Sequence, residues 1–190
     1  MTRHIAIGVK ADAEFDALRH NRFVLRRTWS DSLPKVAFCL TNPSKAGKDL
    51  DDPTSCKLQT YARLWNYGGI VLVNAFSWCA TDPKELYGRS EPQETVLLNW
   101  NYITEAVNTC ALMVCGWGRN GTIDGRAHQI RALLKPWAPK VRALRLIAGN
   151  EPEHPLYLPL KLTPIAYDIA EKTECAAAVH DDQSFSREEA

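Results

Sequence analysis

No stretch of this 190-residue chain approaches the roughly 18 uninterrupted apolar residues that a membrane-spanning helix needs. The N-terminus, Met-Thr-Arg-His-Ile-Ala-Ile-Gly, also lacks the apolar centre of a secretory signal. A soluble, cytoplasmic protein without a membrane partner is therefore expected. Cysteine is sparse, six residues or about 3% of the chain, and no Cys-x-x-Cys pair occurs. Cys110 and Cys115 have no matching second pair or nearby histidine, so buried free thiols are expected rather than a zinc site or a disulfide framework. The chain has no Gly-x-x-x-x-Gly-Lys, Gly-x-Gly-x-x-Gly or Gly-x-Ser-x-Gly segment, which removes the main support for P-loop, dinucleotide-binding and α/β-hydrolase readings.

An excess of one charge is missing too: 23 basic residues stand against 22 acidic ones, a net +1. The last ten residues hold Asp181, Asp182, Glu188 and Glu189 against Arg187, which leaves residues 1–180 with 22 basic and 18 acidic groups, or +4. Such a mildly basic body permits a phosphate-bearing partner without having the basic footprint of a protein that scans nucleic acid.

Against these absences, 45% hydrophobic and 24% charged residues describe one globular domain. Four short apolar runs predict strands: 36–40, 70–73, 111–115 and 141–147. The first three do not alternate, as expected of strands covered on both faces. Between them, Leu58, Tyr61, Ala62 and Trp65 have helical spacing behind an Asp52 cap and Pro53. Val96, Trp100, Ile103 and Val107 form a second stripe, and Ile130, Leu133 and Leu134 a third that stops at Pro136. Alternating strands and helices predict an α/β fold with a mainly parallel four-stranded sheet. Arg22–Arg26 reads as an extra N-terminal edge strand. The expected organisation is an N-terminal extension over 1–20, a single domain over 21–170 and a C-terminal tail over 171–190, partly disordered after a helix.

Polar residues gather just after the predicted strands. They are Asn42, Pro43 and Ser44, followed by Asp51 and Asp52; then Asn74, Phe76 and Trp78; then Gly116-Trp117-Gly118; and last His154-Pro155-Leu156-Tyr157. Right-handed crossovers bring such loops to one sheet edge, where open α/β folds bind ligands. Amides, carboxylates, one imidazole and aromatic faces suit a flat hydrogen-bonding ring such as a nucleobase. Each also has a plainer reading as a turn, a helix cap or a packing side chain. No metal or organic cofactor is called for.

In this order, Asn42-Pro43-Ser44, Asp51-Asp52-Pro53-Thr54, Asn74-Ala75-Phe76 with Thr81-Asp82-Pro83, Gly116-Trp117-Gly118 and His154-Pro155-Leu156-Tyr157 resemble the bacterial and phage domain-of-unknown-function family numbered 1643. The chain also has a distant similarity to uracil-DNA glycosylases, carried by Asn42-Pro43, Asn74, Val114-Cys115-Gly116 and His154-Pro155. That similarity implies a three-layer α/β/α protein that hydrolyses an N-glycosidic bond in DNA or a nucleotide. It also implies that Asn42 positions the attacking water; Asp51 and Asp52 have no counterpart in its motif, and either one, facing the cleft, would offer a carboxylate base instead. Asn74 would read a base edge, His154 would stabilise the departing base, and Leu156 would lie near a DNA wedge. Phe76 or Trp78 would stack on the base, with Pro43, Ser44 and Trp117 completing the binding loops. Leu40, Ser44 and Leu156 depart from that pattern, which expects glycine, glycine and serine there. Two other expectations stay open: a non-catalytic module that sequesters or senses a modified nucleotide or nucleic acid, as in phage–host conflict, and an adaptor whose motifs are only turns. The residues leave the oligomeric state open.

Overall fold

A computed structural model describes residues 2–169. The expected helix and tail over 171–190 lie outside these residues. In chain order the elements are β1 (Arg3–His4), β2 (Lys10–Phe15), β3 (Arg22–Thr28), β4 (Lys35–Leu40), β5 (Leu50–Asp51), α1 (Pro53–Leu64), β6 (Gly69–Asn74), α2 (Gln93–Thr109), β7 (Leu112–Gly116), α3 (Arg126–Leu134), β8 (Val141–Ala143), β9 (Leu146–Ile147), β10 (Glu151–Pro152) and β11 (Ile165–Ala166). The result is a mixed α/β fold around a seven-stranded sheet in the order β11-β8-β7-β4-β6-β3-β2. β8, β7, β4 and β6 run parallel, while β3, β2 and β11 pair antiparallel to their neighbours.

Strand alternation sorts the core into two parts. Ala37 and Cys39 of β4 face one side with Val71, Val73, Met113 and Cys115, beneath residues of α2 and α3. Val36, Phe38 and Leu40 face the other with Ile70, Leu72 and Val114, against Leu58, Tyr61 and Ala62 of α1. Side chains of successive strand residues point to opposite faces, so two covered faces demand apolar residues at consecutive positions. All six residues of β6 and five of the six in β4 are buried.

The start of α1 follows its local signals: Asp52 accepts the Ser55 amide at 2.7 Å, Ser55 Oγ accepts the Asp52 amide, and Pro53 occupies the first helical position. The stripes of α2 and α3 also fall on the expected helices.

Two strand expectations are corrected. Arg22–Thr28 is not an edge strand, because β2 pairs along its outer side and β6 along its inner side. Six of its seven residues are buried, which its three arginines and a threonine conceal in the sequence. The fourth parallel strand ends at Ala143 rather than 147. Leu144 turns into the α1-side core, and Leu146–Ile147 forms a separate hairpin with Glu151–Pro152. The described cysteines are free thiols; Cys39, Cys110 and Cys115 are buried as expected, Cys56 and Cys79 are only half-buried, and Cys175 lies outside the described residues. No helix among the described residues is long and apolar enough to cross a membrane.

Candidate functional site

The order in which the chain fills the parallel core reverses between β4 and β7: α1 carries the chain from β4 outward to β6 on one side, and α3 carries it from β7 outward to β8 on the other. Loops leaving the two strand ends therefore diverge and open a crevice. A cavity of about 1010 Å³ lies there, lined by residues 41–42, 44–45, 52–54, 80–81, 117–120, 153–154 and 156–157 among others. The Thr41 hydroxyl donates to the Trp117 carbonyl at 2.6 Å and ties the two loops together at the strand ends.

The wall nearest β7 is set by close packing. A Cβ on Gly116 would come within 2.8 Å of Pro155 Cδ and 3.0 Å of Leu40, so only glycine lets the 153–157 loop settle over the end of β7. The Gly118 amide donates to the Pro152 carbonyl at 2.8 Å, which fixes His154 beside that loop. Gly121 accepts the Trp117 side chain where a Cβ would lie 2.2 Å from its Cδ1. Trp117 itself is buried; its indole N–H donates to Glu151 Oε2 at 2.7 Å, and Glu151 Oε1 accepts from Arg131 at 2.8 Å.

Six of the expected site residues line this cavity: Asn42, Ser44, Asp52, Trp117, His154 and Leu156. Asn42 Nδ2 donates to the Pro43 and Ala80 carbonyls at 3.0 and 2.9 Å, while its Oδ1 accepts no hydrogen bond from the described residues. Asp52 is buried and uses Oδ1 to cap α1, leaving Oδ2 without a protein donor. His154 Nδ1 accepts the Leu156 amide at 3.4 Å, which leaves the ring proton on Nε2. Burial pushes the imidazole pKa down to about 4, against an opposing pull from the negative charge of Asp52. At neutral pH His154 is thus an uncharged hydrogen-bond donor.

The other five are placed elsewhere. Asp51 forms a buried ion pair with Arg27 at 3.1 Å and also accepts from Ser55 Oγ and Gln59 Nε2 at 2.9 and 2.7 Å. Asn74 is buried, accepting from Arg22 at Oδ1 and from Asn99 at its backbone oxygen. Phe76 is buried beneath the Arg126 guanidinium, and Trp78 carries Arg89 over its ring beside His20. Pro43 is buried, and its carbonyl accepts the Ala80 amide at 3.0 Å, holding the loop that presents Asn42. The Trp117 ring, though part of the wall, is engaged by Glu151 and Tyr167 rather than free to stack on a ligand.

Residues 22–156 match the family described as Protein of unknown function (DUF1643). The chain belongs to it. No curated protein and no solved structure matches this DUF1643 chain. Beyond the expected residues, the DUF1643 cavity takes in Lys45, Thr54, Arg119, Asn120 and Tyr157. Thr54 and Tyr157 belong to the motifs themselves, and the other three follow motif residues within two positions. Their own side-chain chemistry did not distinguish them, since an exposed lysine or arginine in a loop is ordinary surface. Ile147 and Thr2 also line the wall, brought there by the short β9–β10 hairpin and by the N-terminal segment, which pairs with β5. No local sequence signal places either.

Proposed function

We propose that this DUF1643 protein recognises a nucleobase in the strand-end cavity and hydrolyses the N-glycosidic bond of a nucleotide or nucleic acid. The observation that carries the reading is the pairing, in one cavity wall set, of a buried carboxylate with a free oxygen and a histidine held neutral with its proton on Nε2. In this reaction the Asp52 carboxylate takes a proton from a water whose oxygen bonds to the anomeric carbon. The carbon–nitrogen bond breaks and the base departs with the electron pair. Nε2–H of His154 stabilises the charge that develops on the base, and Oδ1 of Asn42 orients the water. A donor aimed at developing charge in a water-poor site contributes on the order of 3 kcal/mol. A neutral donor also avoids the cost of burying a second full charge.

The arrangement of β6, β4, β7 and β8, with α1 on one face and α2 and α3 on the other, supports placing the family near the uracil-DNA-glycosylase fold. The test is a mass-spectrometric screen for free base after incubation with DNA, RNA and free nucleotides. Base release abolished by both Asp52→Asn and His154→Ala is the expected result. Release that survives both substitutions overturns the reading.

One observation favours a second reading, a binding module without turnover. Both amide hydrogens of Asn42 and one oxygen of Asp52 are already engaged in holding the fold. Saturable binding of a base-containing ligand, with no base released from any substrate, selects that alternative.

A further inference from the structure

Arginines elsewhere on this molecule are largely spoken for. Arg26, Arg27, Arg126, Arg131 and Arg145 form ion pairs, and Arg19, Arg63 and Arg89 lie over aromatic rings. Exposed Lys48, Lys135 and Lys161 have no such partner among the described residues either, but Lys45 and Arg119 differ from them in place. Each lines the cavity, one from the loop after β4 and the other from the loop after β7, and neither has an ion-pair or side-chain hydrogen-bond partner among the described residues.

The neutral donors around them are equally unclaimed: the side chains of Ser44, Thr54 and Asn120 line the same cavity and make no hydrogen bond to the described residues. The carboxylates of the wall do not cancel these cations. Glu153 is held by two nitrogens of Arg145, leaving Asp52 as the lining carboxylate outside an ion pair.

We infer that Lys45 and Arg119 close on a phosphate group of the ligand from opposite lips of the crevice, with Ser44 and Asn120 as neutral donors. The inference rests on the nucleobase reading for the rest of the ligand, and it defines the end of the ligand that reading leaves open. Guanidinium offers two parallel N–H donors to a phosphate, and a lysine adds a point charge, so the pair suits a tetrahedral dianion or a diester. Such a phosphate could belong to a mononucleotide or to a polynucleotide backbone.

The test is equilibrium binding by calorimetry to four probes: ribose 5-phosphate, nucleosides of each base, their 5′-monophosphates, and a single-stranded oligonucleotide. Monophosphates or the oligonucleotide are expected to bind at least about tenfold more tightly than nucleosides. The doubly substituted Lys45→Ala, Arg119→Ala protein should lose that preference while keeping its affinity for nucleosides. Both side chains are exposed, and an unchanged thermal melt confirms an intact fold. Tighter monophosphates point to a free nucleotide, and a tighter oligonucleotide to a backbone.

If ribose 5-phosphate binds as tightly as any nucleotide and is lost in the double variant, the phosphate site stands and the nucleobase reading falls. Nucleosides that bind as tightly as their monophosphates overturn the inference while leaving the nucleobase reading intact. A phosphate preference that survives the double substitution, or no binding of any phosphate-bearing probe, overturns it as well.

Discussion

Two neighbouring regions at the strand ends are built from the same kinds of residue and do opposite things. Where β3 meets β5 and β6, Asp51, Asn74, Arg22 and Arg27 are buried, and most of their polar atoms turn toward one another and toward backbone carbonyls, Arg22 Nε being the buried atom left without a partner among the described residues. Where β4 meets β7, Asn42, Asp52 and His154 each keep a polar atom directed to no protein group. Asp51 and Asp52 are adjacent in the chain and fall on opposite sides of this divide. A polar residue after a strand is therefore ambiguous until the neighbouring loops are in place, because hydrogen bonding to protein and availability to a ligand compete for the same lone pairs.

The contrast is sharpest for the two aspartates. Asp51→Asn should leave Arg27 buried without its counter-charge and destabilise the protein by about 3–5 kcal/mol, measured by urea unfolding. Unchanged stability in that variant would break the comparison at its strongest point. Asp52→Asn should hold stability within about 0.5 kcal/mol, since asparagine caps a helix as well as aspartate does. The same substitution should cut base release by about 100-fold or more if Asp52 is the base.

The two asparagines provide a second pair. Asn74→Ala removes an acceptor from a buried arginine and should destabilise by about 1–3 kcal/mol. Ligand affinity, measured below the melting temperature, should change little. Asn42→Ala should show the reverse weighting, with a larger loss of turnover or affinity than of stability. Equal effects of both substitutions on affinity would return Asn74 to the site.

A last expected effect is a pH dependence centred on His154. Its folded pKa of about 4 lies below the 6.5 of an exposed histidine. Between those values the unfolded chain binds a proton that the folded one does not, so His154 lowers stability as pH falls from about 6.5 to 4. Above that window it has no such effect. Asp52→Asn should move the His154 titration lower still, because the Asp52 charge is the influence that raises it. Histidine ring chemical shifts followed by NMR read both values directly.

Much of the helical and central-strand pattern was legible in the sequence because its signals are local. The Asp52-Pro53 cap, the stripes of α1, α2 and α3, and the apolar runs of β4, β6 and β7 all report burial through periodicity. The interior position of Arg22–Thr28 was not legible, since Arg22 and Arg27 are buried by partners 20 to 50 residues away. The break after Ala143 was hidden for a similar reason: Leu144 continues the apolar run but enters the opposite side of the core. For the site, the loops were legible as motifs and the division of labour among their residues was not.

The sequence alone determined that an alternating α/β chain would bring its post-strand loops to one edge, because handed crossovers leave little choice of where those loops go. Family membership followed from the same motifs. Only the tertiary structure decided that Asp52, Asn42 and His154 face a shared cavity while Asp51 and Asn74 hold the framework. That outcome depends on which lone pairs the packed neighbours satisfy, and those neighbours, Arg22 and Arg27 of β3, Gln59, Asn99 and the Leu156 amide, come from four separate segments of the chain.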